Sequence, residues 1–571
     1  MTSSFNLLDE PWIQCAVGEE RRELSLREVF QNLCSIRRLA GDSPTQDYAI
    51  LRVLLAIFWR AHRKHPLLTG ARKQTRRWWT AMFLAATEGG EEELAELTQP
   101  VLAYLKEHRD RFDLLDPNQP FMQVADLHTV KGEYKSPREL IPDGKYDYFN
   151  RRAGRSLEEL DFAESTRLLI ALHSWDFSGK KSGAIGGPPV SSNGTTAPIG
   201  PGSCGRTGGV ILHGDQLAQT LMLNTPAGDV FGRHTEEDLP VWEQEPQGAA
   251  SRGVEHPAGP ADVLTWQTRR VRLFPEEGRV TSVLVSNGDR IEQKNQFADP
   301  MTGYRWSSKK STKDTVVYMP ATHSAQRTLW RGVQALLVRE GAMAPKKGEH
   351  LSRQPKTIAA LRDLIGTEVP GLAETQIRVE LVGMVYGTQN AVIEESIHEE
   401  IPLRLGMLME SSPRLATMVI EAADATMRAA ESLGQFAGNL LRAAGGDYEF
   451  QEHVTEGVLQ RLGDRFRLWL EGLHSGVDRE TSRDAWFDIV EKFVKQEAAA
   501  LCHTAGPKAL IGKIVEDSKT GKEWLLTSAT ALAMLRGSLR KNLPRFRNQE
   551  RAAQTQTNTA APDPQQIGAT A

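Results

Sequence analysis

Cysteine is scarce in this chain, with only Cys15, Cys34, Cys204 and Cys502 among 571 residues, far apart and without paired spacing. That argues against both a disulfide framework and a cysteine zinc site, and fits a reducing compartment. Long apolar runs are missing too. Leu51 to Trp59 is the greasiest stretch; Arg52 interrupts it, and it falls far short of the roughly 20 residues that span a bilayer. The opening MTSSFNLLDEPW has no basic region followed by an apolar one, so no signal peptide is expected. Nor is there an excess of positive charge: 69 Lys and Arg against 73 Asp and Glu give a formal net charge of -4. No global field draws the chain to polyanions, and any nucleic-acid contact must come from local patches. A soluble, cytoplasmic protein is expected.

Catalytic signatures fail as well. Gly200-Pro201-Gly202-Ser203-Cys204-Gly205 matches G-x-G-x-x-G in letters, but that fingerprint has meaning only between a strand and a helix, and neither context is present. Ser174 to Lys181 ends like a P-loop, yet it begins with serine where glycine is needed and has Lys181 in place of the magnesium-binding hydroxyl. His62 and His65 form one close pair beside Arg63 and Lys64, which reads as a solvated basic face rather than a metal site. The acidic residues after His398 do not make H-E-x-x-H. No catalytic residue, cofactor or metal is expected.

A chain this long calls for two or three cores, since domains cluster near about 100 to 200 residues. The start reads as a strand at Trp12 to Val17, a charged turn GEERRE and a helix opened by the capping box Ser25-x-x-Glu28. Ser43-Pro44 starts a second helix. From about residue 115 to 375, β-branched runs such as GGVILHG, RVTSVLVSN and DTVVYM alternate with Gly- and Pro-bearing loops. The Phe177 to Gly209 stretch exceeds the roughly 12 to 15 residues usual for a loop without function. Beyond Ser412-Pro413, apolar positions Leu415, Met418, Ala422, Ala425, Ala429, Leu433, Phe436 and Leu440 step by three and four. Val454 to Leu473, Ala485 to Leu501 and Trp524 to Leu539 repeat such faces with short connections. The expected fold is α+β: a large mixed N-terminal domain with long loops over 1–375, a four-helix bundle over 376–548, and a disordered tail over 549–571.

FNLLDEPWI (Phe5 to Ile13) and PFMQV (Pro120 to Val124) resemble the two N-terminal signatures of the CasA family, the large subunit of the type I-E CRISPR Cascade complex. The likeness extends over residues 1 to about 545. It implies a non-catalytic subunit that caps a complex carrying CRISPR RNA (crRNA), reads the protospacer-adjacent motif (PAM) in double-stranded DNA, starts strand opening and recruits the helicase-nuclease. Base pairing then reads the remaining sequence.

The resemblance also implies site residues. An amide wedge maps to Gln389 or Asn390 in GTQNAVIEE, where an inserted side chain costs a few kcal/mol of unstacking; a polar turn capping the next helix is the plainer alternative. A glycine loop maps to Pro198-Ile199-Gly200-Pro201-Gly202, whose Gly200, Pro201 and Gly202 would face the DNA backbone. A mobile surface loop is the alternative there. A lysine finger for minor-groove acceptors maps to Lys294, with Lys309 and Lys310 as rivals. The aromatic YDYFNRRAGR resembles the start of a loop that anchors the subunit near the crRNA 5′ end, with Phe149, Asn150, Arg151, Arg152 and Arg155 facing a neighbouring subunit and RNA phosphates. Basic patches around RAHRKH, ARKQTRRWW and RGSLRKNLPRFR put arginines beside Trp78, Trp79 and Phe546, for phosphate contact and base stacking or as solvated helix faces. Two rival functions stay open: a scaffold subunit that does not read DNA, and a nucleic-acid-processing enzyme, for which the metal cluster or true P-loop is missing.

Overall fold

The computed structural model describes residues 4–68, 72–142, 158–231, 236–323, 328–337, 350–364, 369, 371–409, 413–516 and 521–545. The chain forms two compact units, Met1–Thr328 with Arg339–Ser411, and Leu329–Val338 with Ser412–Ala571. Among the described residues no helix is long and apolar enough to cross a membrane.

The first unit begins with a small antiparallel sheet in the order β2-β1-β3, from β1 (Ile13–Val17), β2 (Glu20–Leu24) and β3 (Ile36–Leu39). GEERRE is therefore mostly strand: the reversal needs only Gly18, at φ +60°, and Glu19. Charged side chains suit β2 because nearly all of it faces solvent. The capping box holds, with Ser25 Oγ accepting from Glu28 N at 3.3 Å and Ser25 N donating to Glu28 Oε2 at 2.8 Å. Ser43 caps the Pro44–His62 helix through Gln46 N at 3.2 Å. That helix is buried on nearly every face, which explains its arginines: Arg52 pairs with Asp299 at 2.7 Å, and Arg60 with Glu243.

Short pairs β4 (Lys181–Ser182) with β5 (Thr195–Thr196), and β9 (Tyr304–Trp306) with β10 (Tyr318–Pro320), pin the loops. Only the end of DTVVYM becomes strand. β7 (Arg269–Glu276) and β8 (Arg279–Asn287) form a hairpin turned by Glu277 and Gly278, both at positive φ, as tight two-residue turns require. A second three-stranded sheet has the order β12-β11-β6, built from β6 (Gly209–His213), β11 (Gln376–Tyr386) and β12 (Ile393–Arg404). The expected domain boundary at 375/376 therefore moves to the Ser411–Ser412 link. β11 pairs antiparallel with β6 and β12 with β11, and these backbone hydrogen bonds bind residues 376–404 to the first unit.

Both signature strings are packing devices. In the first, Leu7, Leu8, Trp12 and Ile13 are buried, Trp12 Nε1 donates to Leu7 O at 3.1 Å, and Asp9 pairs with Arg27 and Arg109. In the second, buried Gln123 donates to Leu114 O at 2.8 Å and accepts from Leu273 N at 2.9 Å, while Met122 O, at a residue with φ +53°, faces His173 Nε2 at 3.0 Å.

The second unit contains long helices Pro413–Ala443, Glu452–Glu471, Arg479–Ile511 and Ser528–Asn542, the first packing on each of the other three. All eight apolar positions expected along the first are buried. Trp486 sits at its centre, donating to Thr426 Oγ1 at 3.0 Å and packing near Phe466 and Trp469. Trp524 is strand rather than helix: β13 (Lys513–Glu516) and β14 (Glu523–Leu526) make a hairpin, and the last helix starts after its Thr527 cap. The expected tail, 549–571, lies outside the described residues.

Candidate nucleic-acid interface

The Phe162–Trp175 helix is opened by Asp161, whose side chain accepts from Glu164 N at 2.7 Å, and it ends on a buried segment, Trp175 to Ser178. There Asp176 meets Arg269 Nε at 2.5 Å and Lys181 Nζ at 2.6 Å, all three fully buried. Burial opposes ionisation of Asp176, but the two cations outweigh it and hold the carboxyl below the usual carboxylate range. The guanidinium of Arg269 also donates to Phe177 O at 3.1 Å and Gly200 O at 2.9 Å. The P-loop-like string is thus a buried ion-pair network, and Lys181 balances charge inside the protein.

The glycine loop packs on this segment. Gly202 N donates to Asp176 O at 2.7 Å, Ser203 N to His173 O at 3.1 Å and Cys204 N to Ser174 O at 2.9 Å. These amides satisfy carbonyls that a helix end leaves without partners. A β-carbon on Gly202 would lie 2.4 Å from the Ser174 carbonyl carbon, so glycine is required there for close packing. Pro201 and Gly202 are buried and face inward, which removes them from direct contact with any ligand; of the three expected residues only Gly200, at φ +109°, reaches the surface. The loop is a bound surface feature, with its donors committed to the helix.

Gln389 and Asn390 form the tip between β11 and β12, at φ +57° and +56°. The capping alternative fails because a strand, not a helix, follows. The tip is tied to the same buried segment: Ser178 N donates to Asn390 O at 2.7 Å, and Tyr386 Oη donates to Trp175 O at 2.7 Å. Gln389 is exposed and Asn390 half-buried, and neither side-chain amide has a hydrogen-bond partner among the described residues. Consecutive left-handed residues other than glycine are costly, and here they present two free amides on a short, anchored turn.

Lys294 hangs separately, from β10. Glu292 Oε1 accepts from Gln293 N at 2.7 Å and Lys294 N at 2.9 Å. Asn295, at φ +53°, clamps Tyr318 through two bonds of 3.0 and 2.7 Å. The Lys294 side chain is exposed and without a partner among the described residues. Lys309 is exposed in the β9–β10 connection, and Lys310 Nζ lies 3.5 Å from Met319 Sδ. Phe149, Asn150, Arg151, Arg152 and Arg155 lie outside the described residues.

The basic patches change character. Trp78 and Trp79 are buried, so they are not free to stack on bases, and His62 is buried between Phe58 and Trp78 with its imidazole pushed down to about 4, chiefly by burial. Arg545 pairs with Asp488 and Glu491; Phe546 lies outside the described residues. Among the described residues no group of three His, Cys, Asp or Glu is placed to hold a metal ion. Asp176 and Arg269, which join the loop to the tip, were missed in the sequence; the only signal was the P-loop-like string that contains Asp176.

Residues 6–496 match the family model described as CRISPR-associated protein Cse1. The chain belongs to the Cse1 family. It is therefore the large subunit of a type I-E Cascade, Cse1 and CasA being two names for one family. CasA/Cse1 of Thermus thermophilus is 26% identical over 444 residues, covering 76% of both chains. The crystal structure of Thermobifida fusca Cse1 is 33% identical, with a TM-score of 0.81, and covers 95% of this chain and 98% of that one. A chain of a CRISPR RNA-guided surveillance complex shares the fold, at 19% identity and a TM-score of 0.62, with 87% and 99% covered. In this chain the two signature strings are scaffold, with their apolar residues in the core of the first unit.

Proposed function

We propose that this Cse1 subunit reads the PAM in duplex DNA within a crRNA-bearing complex and begins strand separation, without catalysing a reaction itself. The observation that carries this is the β11–β12 tip: two amides without a partner among the described residues, on adjacent left-handed residues, fastened through Ser178 and Arg269 to the loop that exposes Gly200. An amide inserted at a base step offsets part of the unstacking cost by bonding to exposed base edges, and a rigid mount keeps the side chain from yielding instead. Lys294 probes the minor groove, whose acceptor pattern is degenerate, so tolerant PAM reading follows. Because R-loop formation is nearly balanced, a modest wedge contribution decides whether opening starts. Duplex binding drives the step, and no cofactor is consumed. The opened complex then recruits the helicase-nuclease, and Phe149, Asn150, Arg151, Arg152 and Arg155 contact a neighbouring subunit and the crRNA 5′ region.

The test is the affinity of the reconstituted crRNA complex for target duplexes of varied PAM, with and without the subunit, at fixed salt. PAM discrimination that appears only with the subunit, and falls for Lys294→Ala, supports the reading. Discrimination unchanged without the subunit would leave the scaffold role.

A further inference from the structure

The glycine loop carries a cation that the wedge, loop and finger leave unused. Arg206 is exposed, whereas Pro201 to Gly205 before it and Thr207 to Val210 after it are buried. Its backbone is held on both sides: Cys204 N donates to Ser174 O at 2.9 Å, and Thr207 bonds Cys204 O through N at 3.0 Å and Oγ1 at 2.9 Å. The guanidinium swings back over Gly200, whose added β-carbon would lie 3.6 Å from it. Beside it, Gly205 fits against Tyr386, the last residue of the strand that carries the amide tip, and a β-carbon there would lie 2.6 Å from Tyr386 Oη. Arg206 has no ion-pair or hydrogen-bond partner among the described residues, unlike buried Arg269, which reaches the loop from β7 and pairs with Asp176.

We propose that Arg206 is a phosphate-binding residue that grips the backbone of the target duplex beside Gly200. This rests on the reading of the tip and loop as a DNA-facing surface. A planar guanidinium matches two phosphate oxygens, and a fixed backbone lowers the entropy lost on binding. Gly200, lacking a side chain, leaves room for a phosphate to approach the guanidinium across it. Since a phosphate contact carries no sequence information, Arg206 sets register and strength rather than PAM preference.

The experiment uses the reconstituted crRNA complex and measures affinity for two target duplexes of different PAM over a range of salt. Arg206→Gln should weaken both by a similar factor, roughly three- to tenfold, and lower the log-affinity against log-salt slope by about 0.9. Arg206→Lys should recover most of the slope. An unchanged slope in Arg206→Gln, while the wild-type subunit still confers PAM discrimination, overturns this inference and leaves the DNA-reading proposal standing. A wild-type subunit that confers no discrimination removes the proposal on which it rests. If Arg206→Gln weakens assembly onto the crRNA complex before DNA is added, the phosphate belongs to RNA, and the inference is likewise overturned.

Discussion

Asp176→Asn tests whether one buried carboxylate organises the interface. The substitution keeps the shape of the side chain but leaves Arg269 and Lys181, fully buried in the wild type, without a counter-charge. Removing one partner of a buried ion pair costs about 3 to 5 kcal/mol, because the stranded charge keeps its desolvation penalty. In a unit of this size that corresponds to a fall in melting temperature of about 4 to 6 °C. Lys181→Met added to Asp176→Asn removes one of the stranded cations and should restore part of the loss. Calorimetry on the full chain reads both. Because Arg269 also holds Gly200 O and Phe177 O, the assembled complex should lose target affinity beyond what the unfolded fraction explains. A melting temperature within about 1 °C of wild type would refute the reasoning, since it would mean that the buried charges find compensation elsewhere.

The remaining predictions concern packing and pH. Gly202→Ala places a β-carbon 2.4 Å from the Ser174 carbonyl carbon, so urea titration should show a loss of about 1 to 3 kcal/mol as the loop lifts from the helix end. His62 and His173 are held neutral by burial, each lowered from 6.5 to about 4. The unfolded chain takes up these protons first, so stability should fall as pH drops from about 6.5 towards 4, by about 3 kcal/mol for each histidine. Burial would raise the Glu380 carboxyl, but hydrogen bonds from His213 and His398 hold it at about 2, against an ordinary 4.5. That contribution is present above pH 4.5 and disappears as pH falls towards 2. Denaturation midpoints measured from pH 8 to pH 3 check both, and a midpoint flat between about pH 6.5 and 4 would contradict the histidine assignment.

Local chemistry was the readable part of this sequence. Capping at Ser25 and Ser43, the start at Pro413 and the eight-position stripe through Leu440 follow from hydrogen-bond valence and helical period, and each appears in the fold. Long-range pairing was not readable. Residues 376–404 sit in the first unit because β11 finds β6, about 170 positions earlier in the chain, and no local pattern announces that partner. Trp524 was drawn into a helix because a short apolar run reads either way until its cross-strand neighbour Val515 is known. The site divided along the same line. Gln389, Asn390 and Lys294 were named through the family resemblance and not from any local pattern, and the inward orientation of Pro201 and Gly202 depends on the end of a distant helix. For Trp78 and Trp79 the sequence left a stacking surface and a solvated helix face both open, because a helix shows its buried face only once it is packed.

The central claim is that the tip of the β11–β12 hairpin opens the duplex. It is tested most directly by 2-aminopurine fluorescence at the first base pair beyond the PAM, in the assembled complex with a guide that does not match the target. The account predicts a rise in fluorescence with the wild-type subunit, lost in a Gln389→Ala, Asn390→Ala double variant that still binds the PAM-bearing duplex. An equal rise with that variant would contradict it.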